Sequence, residues 1–413
     1  MKLLVFAHTP PPHHGQSYMI QLMLNGFGGD QRKSARPAAA AKNPYGLECY
    51  HVNARVSKRM DDIGGLRPGK VLLLLGYCFQ AIWCRYRYGV TTMYYVPAPG
   101  KRSALYRDWM VMALCRPFFK KVILHWHAAG LGNWLETHVQ MRARAMTFRR
   151  MGAVDLSIVL SDYSKGDASK FLPKAITLVN NGIPDPCPDF DRTILPRRSA
   201  RLVARLKLAD GGKLEAGELA GTGGDPQIFR VLYVAHCTRD KGLFDSVHGV
   251  RLANEQLRAA GSPFALELVV IGQFMDPVER QEFDGLVAQP ELQKSIKFLG
   301  YVTTEAKFQA FAEADLFCFP SYYQNENQPA NLIEAIAFGL PALTTRWRGI
   351  PEIFPRDYAY FVGVRAPEQV AAKLLQCLGA REPATRYRQK FLQNFVLEQH
   401  LRALADAIRT TEA

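Results

Sequence analysis

A chain of 413 residues with 48% hydrophobic and 22% charged residues is globular in composition and too long for one ordinary core, which points to two domains. Its net charge of +15 calls for an anionic partner. The longest unbroken apolar run, residues 71–79, falls far short of the roughly 20 residues of a membrane-spanning helix.

In chain order, apolar runs at 2–8, 47–54, 70–77, 91–96, 120–127, 156–161 and 176–182 read as strands. A helix is expected to begin near Ser17, and the low-complexity stretch 29–43 is expected to be an exposed loop. Residues 186–228, rich in Pro, Gly, Arg and Lys, read as linker plus surface insertion. A second strand series follows at 229–235, 266–272, 296–302, 315–321 and 341–345, and residues 383–410 read as helix returning to the first domain. Strands alternating with helical patterns predict an α/β architecture with parallel sheets. The expected division is 1–190, a linker at 191–228, a second domain at 229–382 and a terminal helical segment at 383–413.

The opening MKLLVFAHTPPP lacks the long apolar core and cleavage site of a signal peptide, so a cytoplasmic location is expected. Eight cysteines without a CxxC pair, most of them in apolar runs, read as buried thiols rather than zinc ligands. Asp189 and Asp191 form an Asp-x-Asp, but in a proline-rich stretch, and it reads as a chance match. The neighbouring His13 and His14 lack the spacing of a helix-borne zinc pair, and a loop role near an acceptor is preferred. No metal and no cofactor are expected.

Residues 82–151 hold twelve Lys/Arg against Asp108 and Glu136, so ten of the fifteen net charges fall there. Leu105, Trp109 and Met112 share a helical face with Arg107, Arg116, Lys120 and Lys121 near it. This reads either as a core-facing helix with a solvated basic edge or as a docking face for an anionic membrane. No nucleic-acid-binding module accompanies the charge.

In parallel sheets, ligands bind beyond the carboxyl ends of strands, where loops meet helix N-termini. Residues 315–321 read as a strand, 322–329 as its loop and 330–340 as the following helix. Backbone amides near Ala330, Asn331 and Leu332 would then face a phosphate. Glu326 in the loop and Glu334 one turn into the helix suit hydrogen bonding to polyols. Their spacing alone also fits a solvated loop glutamate and a surface-helix glutamate. Arg239 and Lys241 sit in the loop after the second domain's first strand, where a diphosphate would lie.

Together these stretches resemble retaining glycosyltransferase family 4, enzymes of the GT-B fold with two Rossmann-like domains whose parallel sheets face a cleft. The matching elements are Glu326 and Glu334 with EAIAFGLP, Lys241-Gly242, VILHWHAAGLG with His127 favoured over His125, Asn181-Gly182-Ile183, and the first loop with Gly15. The resemblance implies a hexosyltransferase using a nucleoside-diphosphate sugar, with a glycan or lipid-linked acceptor in surface polysaccharide synthesis. It also implies Lys241 and Arg239 at the leaving diphosphate, Glu326 and His127 on the sugar, and Glu334 on the ribose. With an anionic membrane as partner, the enzyme is expected to be peripheral on the inner face of the cell membrane.

Two departures stand out. His236 occupies the place of the family's usual arginine, and Asn327-Gln328-Pro329 replaces Gly-Phe-Gly. Two alternatives share the architecture: a nucleotide-sugar epimerase, and a non-catalytic nucleotide-sugar-binding or membrane-scaffold protein, for which His236 is the best support.

Overall fold

The computed structural model describes residues 1–11, 14–33, 43–55, 68–380 and 384–412. His13 and residues 34–42 of the expected loop lie outside them. The chain forms two compact units: Met1–Pro184 with Gln324–Gln328 and Phe395–Ala413, and Asp185–Tyr323 with Pro329–Asn394.

The first unit runs β1 (Lys2–Ala7), α1 (Gly15–Gly26), β2 (Glu48–Asn53), α2 (Pro68–Arg87), β3 (Thr92–Tyr95), α3 (Arg102–Cys115) and β4 (Lys121–Trp126). It continues with α4 (Leu131–His138), α5 (Met141–Met151), β5 (Leu156–Val159), α6 (Asp162–Ser169) and β6 (Ile176–Leu178). All strands are parallel, in the order β2-β1-β3-β4-β5-β6. Because both faces are covered at β1, β4 and β5, these strands are largely apolar runs rather than alternating ones. Leu4 and Phe6 of β1 enter one core with Leu74 and Val111, while Leu3 and Val5 enter another with Ile20 and Leu404.

The second unit opens with α7 (Phe190–Thr193), α8 (Leu195–Ala209) and α9 (Ala216–Gly221), followed by β7 (Ile228–Val234), α10 (Leu243–Ala259) and β8 (Ala265–Ile271). Then come α11 (Pro277–Val287), α12 (Pro290–Gln293), β9 (Ile296–Gly300), α13 (Thr304–Glu313), β10 (Leu316–Phe319), α14 (Ala330–Ala337) and β11 (Ala342–Thr345). The series closes with β12 (Phe361–Val362), α15 (Pro367–Leu378) and α16 (Ala384–Asn394); α17 (Leu397–Arg409) belongs to the first unit. This sheet is also parallel, in the order β12-β11-β10-β7-β8-β9.

Two expectations are corrected. Residues 70–77 are not a strand but part of the 20-residue helix α2. β1 pairs directly with both β2 and β3, which leaves no place between them for another strand. A short apolar run carries no period to separate the two structures, and only the helix's length decides. Likewise, 186–228 is not a linker. Arg198, Arg201 and Arg205 recur at helical spacing and fasten α8 to its own unit. They donate to the carbonyls of Phe311 (2.9 Å), Glu313 (2.6 Å) and Pro226 (3.0 Å), and Arg205 pairs with Asp315 at 2.6 Å. The period is there, carried by arginine instead of apolar residues.

Of the two readings of the basic segment, the structure favours a core-facing helix. Leu105 and Met112 are buried, and Trp109 donates to Thr147 Oγ1 at 2.9 Å. Arg116 is bound to the Arg150 and Ala153 carbonyls at 2.7 and 3.2 Å. That apolar face is therefore core. Among the described residues no helix is long and apolar enough to cross a membrane.

Candidate active site

In the second unit the chain leaves β7 toward β8 on one side and later returns to β10 on the other. The carboxyl ends of β7 and β10 thus flank a topological switch point, where a crevice opens in such sheets. The two loops there are joined. Tyr322 N donates to the Asp240 carbonyl at 2.8 Å, and Ser321 Oγ to the same oxygen at 3.4 Å. Gly242 has φ +81°, and a Cβ on it would stand 2.5 Å from the Pro320 carbonyl oxygen. Only glycine fits so close an approach of backbones.

Lys241 Nζ lies 4.2 Å from the centre of the Tyr323 ring and 5.7 Å from that of Phe319. The Trp347 indole donates to the Tyr323 carbonyl at 2.7 Å and holds this aromatic wall. Asn331 Nδ2 donates to the Val234 carbonyl at 2.8 Å, which ties the start of α14 to the end of β7. Glu334 is buried and accepts from Lys307 Nζ at 2.6 Å. Sequence reading missed Lys307; it lies on α13, and only the sheet topology brings it to Glu334.

Two placements differ from expectation. The Leu332 amide, expected to face a phosphate, is taken by Asn331 Oδ1 at 2.9 Å and the Pro329 carbonyl at 3.2 Å. Arg239 points to α11: its guanidinium pairs with Glu282 and lies 4.3 Å from the centre of the Phe244 ring. Its amide donates to Glu279 at 3.0 Å. His236 stays in the β7 loop, its carbonyl held by Tyr233 Oη at 2.9 Å. Burial, then the charge of Lys241, lowers its pKa and keeps it neutral.

Glu326 belongs to the first unit. Asn325 O accepts from Ala129 N at 3.4 Å, and Asn327 Nδ2 donates to the Trp126 carbonyl at 3.3 Å. The neighbours of Glu326 therefore grip both sides of His127. Asn327 Oδ1 also accepts from Ser161 Oγ (2.7 Å) and Ser164 Oγ (3.0 Å). Gln328 accepts from Asn181 N at 2.6 Å and donates to Leu160 O at 3.1 Å. The residues that depart from Gly-Phe-Gly are anchors.

His127 lies just beyond β4, with its Nε2 buried and unpartnered among the described residues. Burial, with His400 and His14 nearby, pushes its pKa down to about 3, so it is a neutral donor or acceptor at pH 7. His125 instead lies in the core, bonded to Tyr94 Oη. Gly15 begins α1, and a Cβ there would meet nothing within 4 Å among the described residues. Gly182 is crowded by His400 Cβ at 2.5 Å and Val396 O at 2.8 Å, so the Asn-Gly motif seats the approach to α17.

Residues 224–392 match the family model "Glycosyl transferases group 1". The amylovoran biosynthesis glycosyltransferase AmsK of Erwinia amylovora is 28% identical over 160 residues, 38% of this chain and 37% of that protein. The putative colanic acid biosynthesis glycosyltransferase WcaL of Salmonella typhimurium is 28% identical over 190 residues, 44% and 45% of the two chains. The chain thus spans less than half the length of these curated relatives. Among solved structures, Anabaena Alr3699/HepE in complex with UDP and glucose superposes with TM-score 0.63 at 14% identity, covering 98% of this chain and 99% of its own. Sucrose-phosphate synthase from Thermosynechococcus elongatus gives 0.65 at 16% identity, with 99% of each chain covered. The shared architecture is the GT-B fold.

Proposed function

We propose that this chain, a member of the group 1 glycosyltransferase superfamily through residues 224–392, moves a hexose-type sugar from a nucleoside-diphosphate sugar to a glycan acceptor in polysaccharide synthesis. The observation that carries the reading is the joined pair of loops at the β7/β10 switch point, with Lys241, the start of α14 and Glu334 around it. The fixed charge of Lys241 suits a leaving diphosphate, whose negative charge grows in the transition state. Glu334 suits a ribose diol. His127 and Glu326 suit sugar hydroxyls, and their spacing is fixed by the anchors at Asn325 and Asn327. Retention of anomeric configuration would follow from same-face attack, with the leaving phosphate taking the acceptor's proton. No metal is required in this scheme.

A lipid-linked acceptor would bring the enzyme to the inner face of the cell membrane as a peripheral protein, and the basic charge supports that setting. The engagement of Arg239 by Glu282 favours a second reading, nucleotide-sugar binding without transfer. Release of free nucleoside diphosphate from a panel of nucleotide sugars, with and without membrane lipid extract, tests both. UDP, the nucleotide named with Alr3699/HepE, is the first to try. Lipid-dependent release from one donor is expected; binding with no release from any donor would overturn the transfer reading.

A further inference from the structure

The helix that sequence reading took for a strand has a surface of its own. α2 buries Leu74, Cys78, Ala81 and Cys84 in the core of the first unit. Its opposite face is apolar too: Leu72 is 70% exposed, Phe79 77%, Trp83 52% and Tyr86 70%, with Leu75 beside them. These positions recur at helical spacing over about 21 Å of helix, and no residue from Val71 to Cys84 carries a charge. From residue 68 to 121 the chain has nine Lys/Arg and one acid, Asp108, which is buried. Among the basic ones, Arg87, Lys101, Arg102 and Lys120 are exposed.

We propose that the outward face of α2 is a membrane-docking surface that lies in the interface of an anionic bilayer. Two features select this occupant over a protein partner. The stripe ends in Trp83 and Tyr86, whose rings suit the level of the lipid headgroups. Within residues 68–121 the exposed charge is basic throughout, which matches an anionic surface and disfavours a second copy of the same segment. The helix does not span; apolar residues on one side and fixed core contacts on the other hold it parallel to the surface. The proposal deepens the peripheral-membrane part of the proposed function and rests on that reading only for its purpose, delivery of a lipid-linked acceptor.

Vesicle partition of the full chain is the test, with phosphatidylglycerol–phosphatidylcholine vesicles compared with phosphatidylcholine alone. Wild type is expected to bind the anionic vesicles, and Phe79→Ser/Trp83→Ser to lower that partition about tenfold or more. Should that variant misfold, Trp83→Phe answers separately: brominated lipid should quench wild-type emission and quench this variant distinctly less. Equal partition of wild type and the double variant, no binding of wild type to anionic vesicles, or equal quenching would overturn the proposal. So would a wild-type dimer in sedimentation that the double variant converts to monomer, since a second copy would then cover the face. UDP affinity measured in the same samples separates the two readings. Partition lost with UDP binding intact removes the docking surface alone, whereas UDP binding absent with partition intact removes the sugar-transfer reading.

Discussion

Asn327 Nδ2 donates to the Trp126 carbonyl at 3.3 Å, so the residue after Glu326 is fastened to the residue before His127. A glutamate in a loop is normally mobile, and a sugar-binding group must be held still to act on a transition state. Here the immobilising bonds come from the residues that replace a glycine-rich motif.

Removing an anchor should therefore loosen function and fold together. Gln328→Ala takes away the acceptor of Asn181 N and the donor to Leu160 O, both buried. A buried polar group left unsatisfied costs about 1–3 kcal/mol, and a loss of that size is expected in urea unfolding. Asn327→Ala removes the acceptor shared by the Ser161 and Ser164 hydroxyls, which keep their bond to each other, and should cost about 1 kcal/mol, with a fall in sugar transfer. Full stability in both variants would mean that solvent replaces these bonds.

Glu334 and Lys307 form a pair at 2.6 Å in the second unit. Glu334→Gln keeps the shape and removes charge-assisted bonds worth about 1.5–3 kcal/mol. UDP affinity should then fall about 10- to 100-fold in calorimetry. Lys307→Ala leaves the carboxylate but not its orientation, and a smaller loss is expected. The double variant should lose less than the sum of the two, because both act through one carboxylate. Strict additivity would separate Lys307 from the nucleotide.

Lys241→Ala should depress turnover more than UDP affinity, since the charge it faces grows in the transition state. Transfer should continue in excess EDTA. Complete loss restored by Mg²⁺ or Mn²⁺ would assign the leaving group to a metal instead.

His127→Ala should cut transfer about tenfold or more, the loss of a hydrogen bond to a sugar hydroxyl. UDP affinity should stay nearly intact, because Lys241 and Glu334 belong to the other unit. A parallel fall in both would assign His127 to nucleotide binding.

Much of this was readable from the residues. Apolar runs gave the parallel strands, because strands covered on both faces need no alternation. Lys241 falls in the loop after β7 and Glu334 in the helix after β10, strand-to-helix junctions that local order along the chain picks out. What escaped was whatever depends on distant packing. α2 was indistinguishable from a strand until its length was known, and α8 hid its period in arginines. That Glu326 joins the first unit follows from side-chain bonds across more than 160 positions, and spacing along the chain carries no trace of them.

The last prediction concerns acid. His8, His51, His125, His127 and His400 all lie in the first unit, and burial is the first cause holding each below the ordinary histidine range. His8 and His127 are pushed down to about 3 and His400 to about 4. His8 Nε2 lies 2.6 Å from His14 Nε2, a contact that needs one ring nitrogen without a proton. At His400 the Asn180 carbonyl, 2.6 Å from Nδ1, opposes the shift, and burial outweighs it. In the unfolded chain these rings take up protons near pH 6.5; in the folded unit they do not. Between about pH 6.5 and 4 the unfolded state therefore binds more protons, so stability rises with pH and is lost as pH falls. Each histidine adds up to about 1.4 kcal/mol per pH unit to that slope. Unfolding free energy measured by urea from pH 7.5 to 5 should fall steeply. His400→Gln, which keeps a donor for Asn180, should flatten the slope by up to one proton. A stability independent of pH over this range would mean that these histidines take up protons in the folded unit as readily as in the unfolded chain, and that burial does not hold them below the ordinary histidine range.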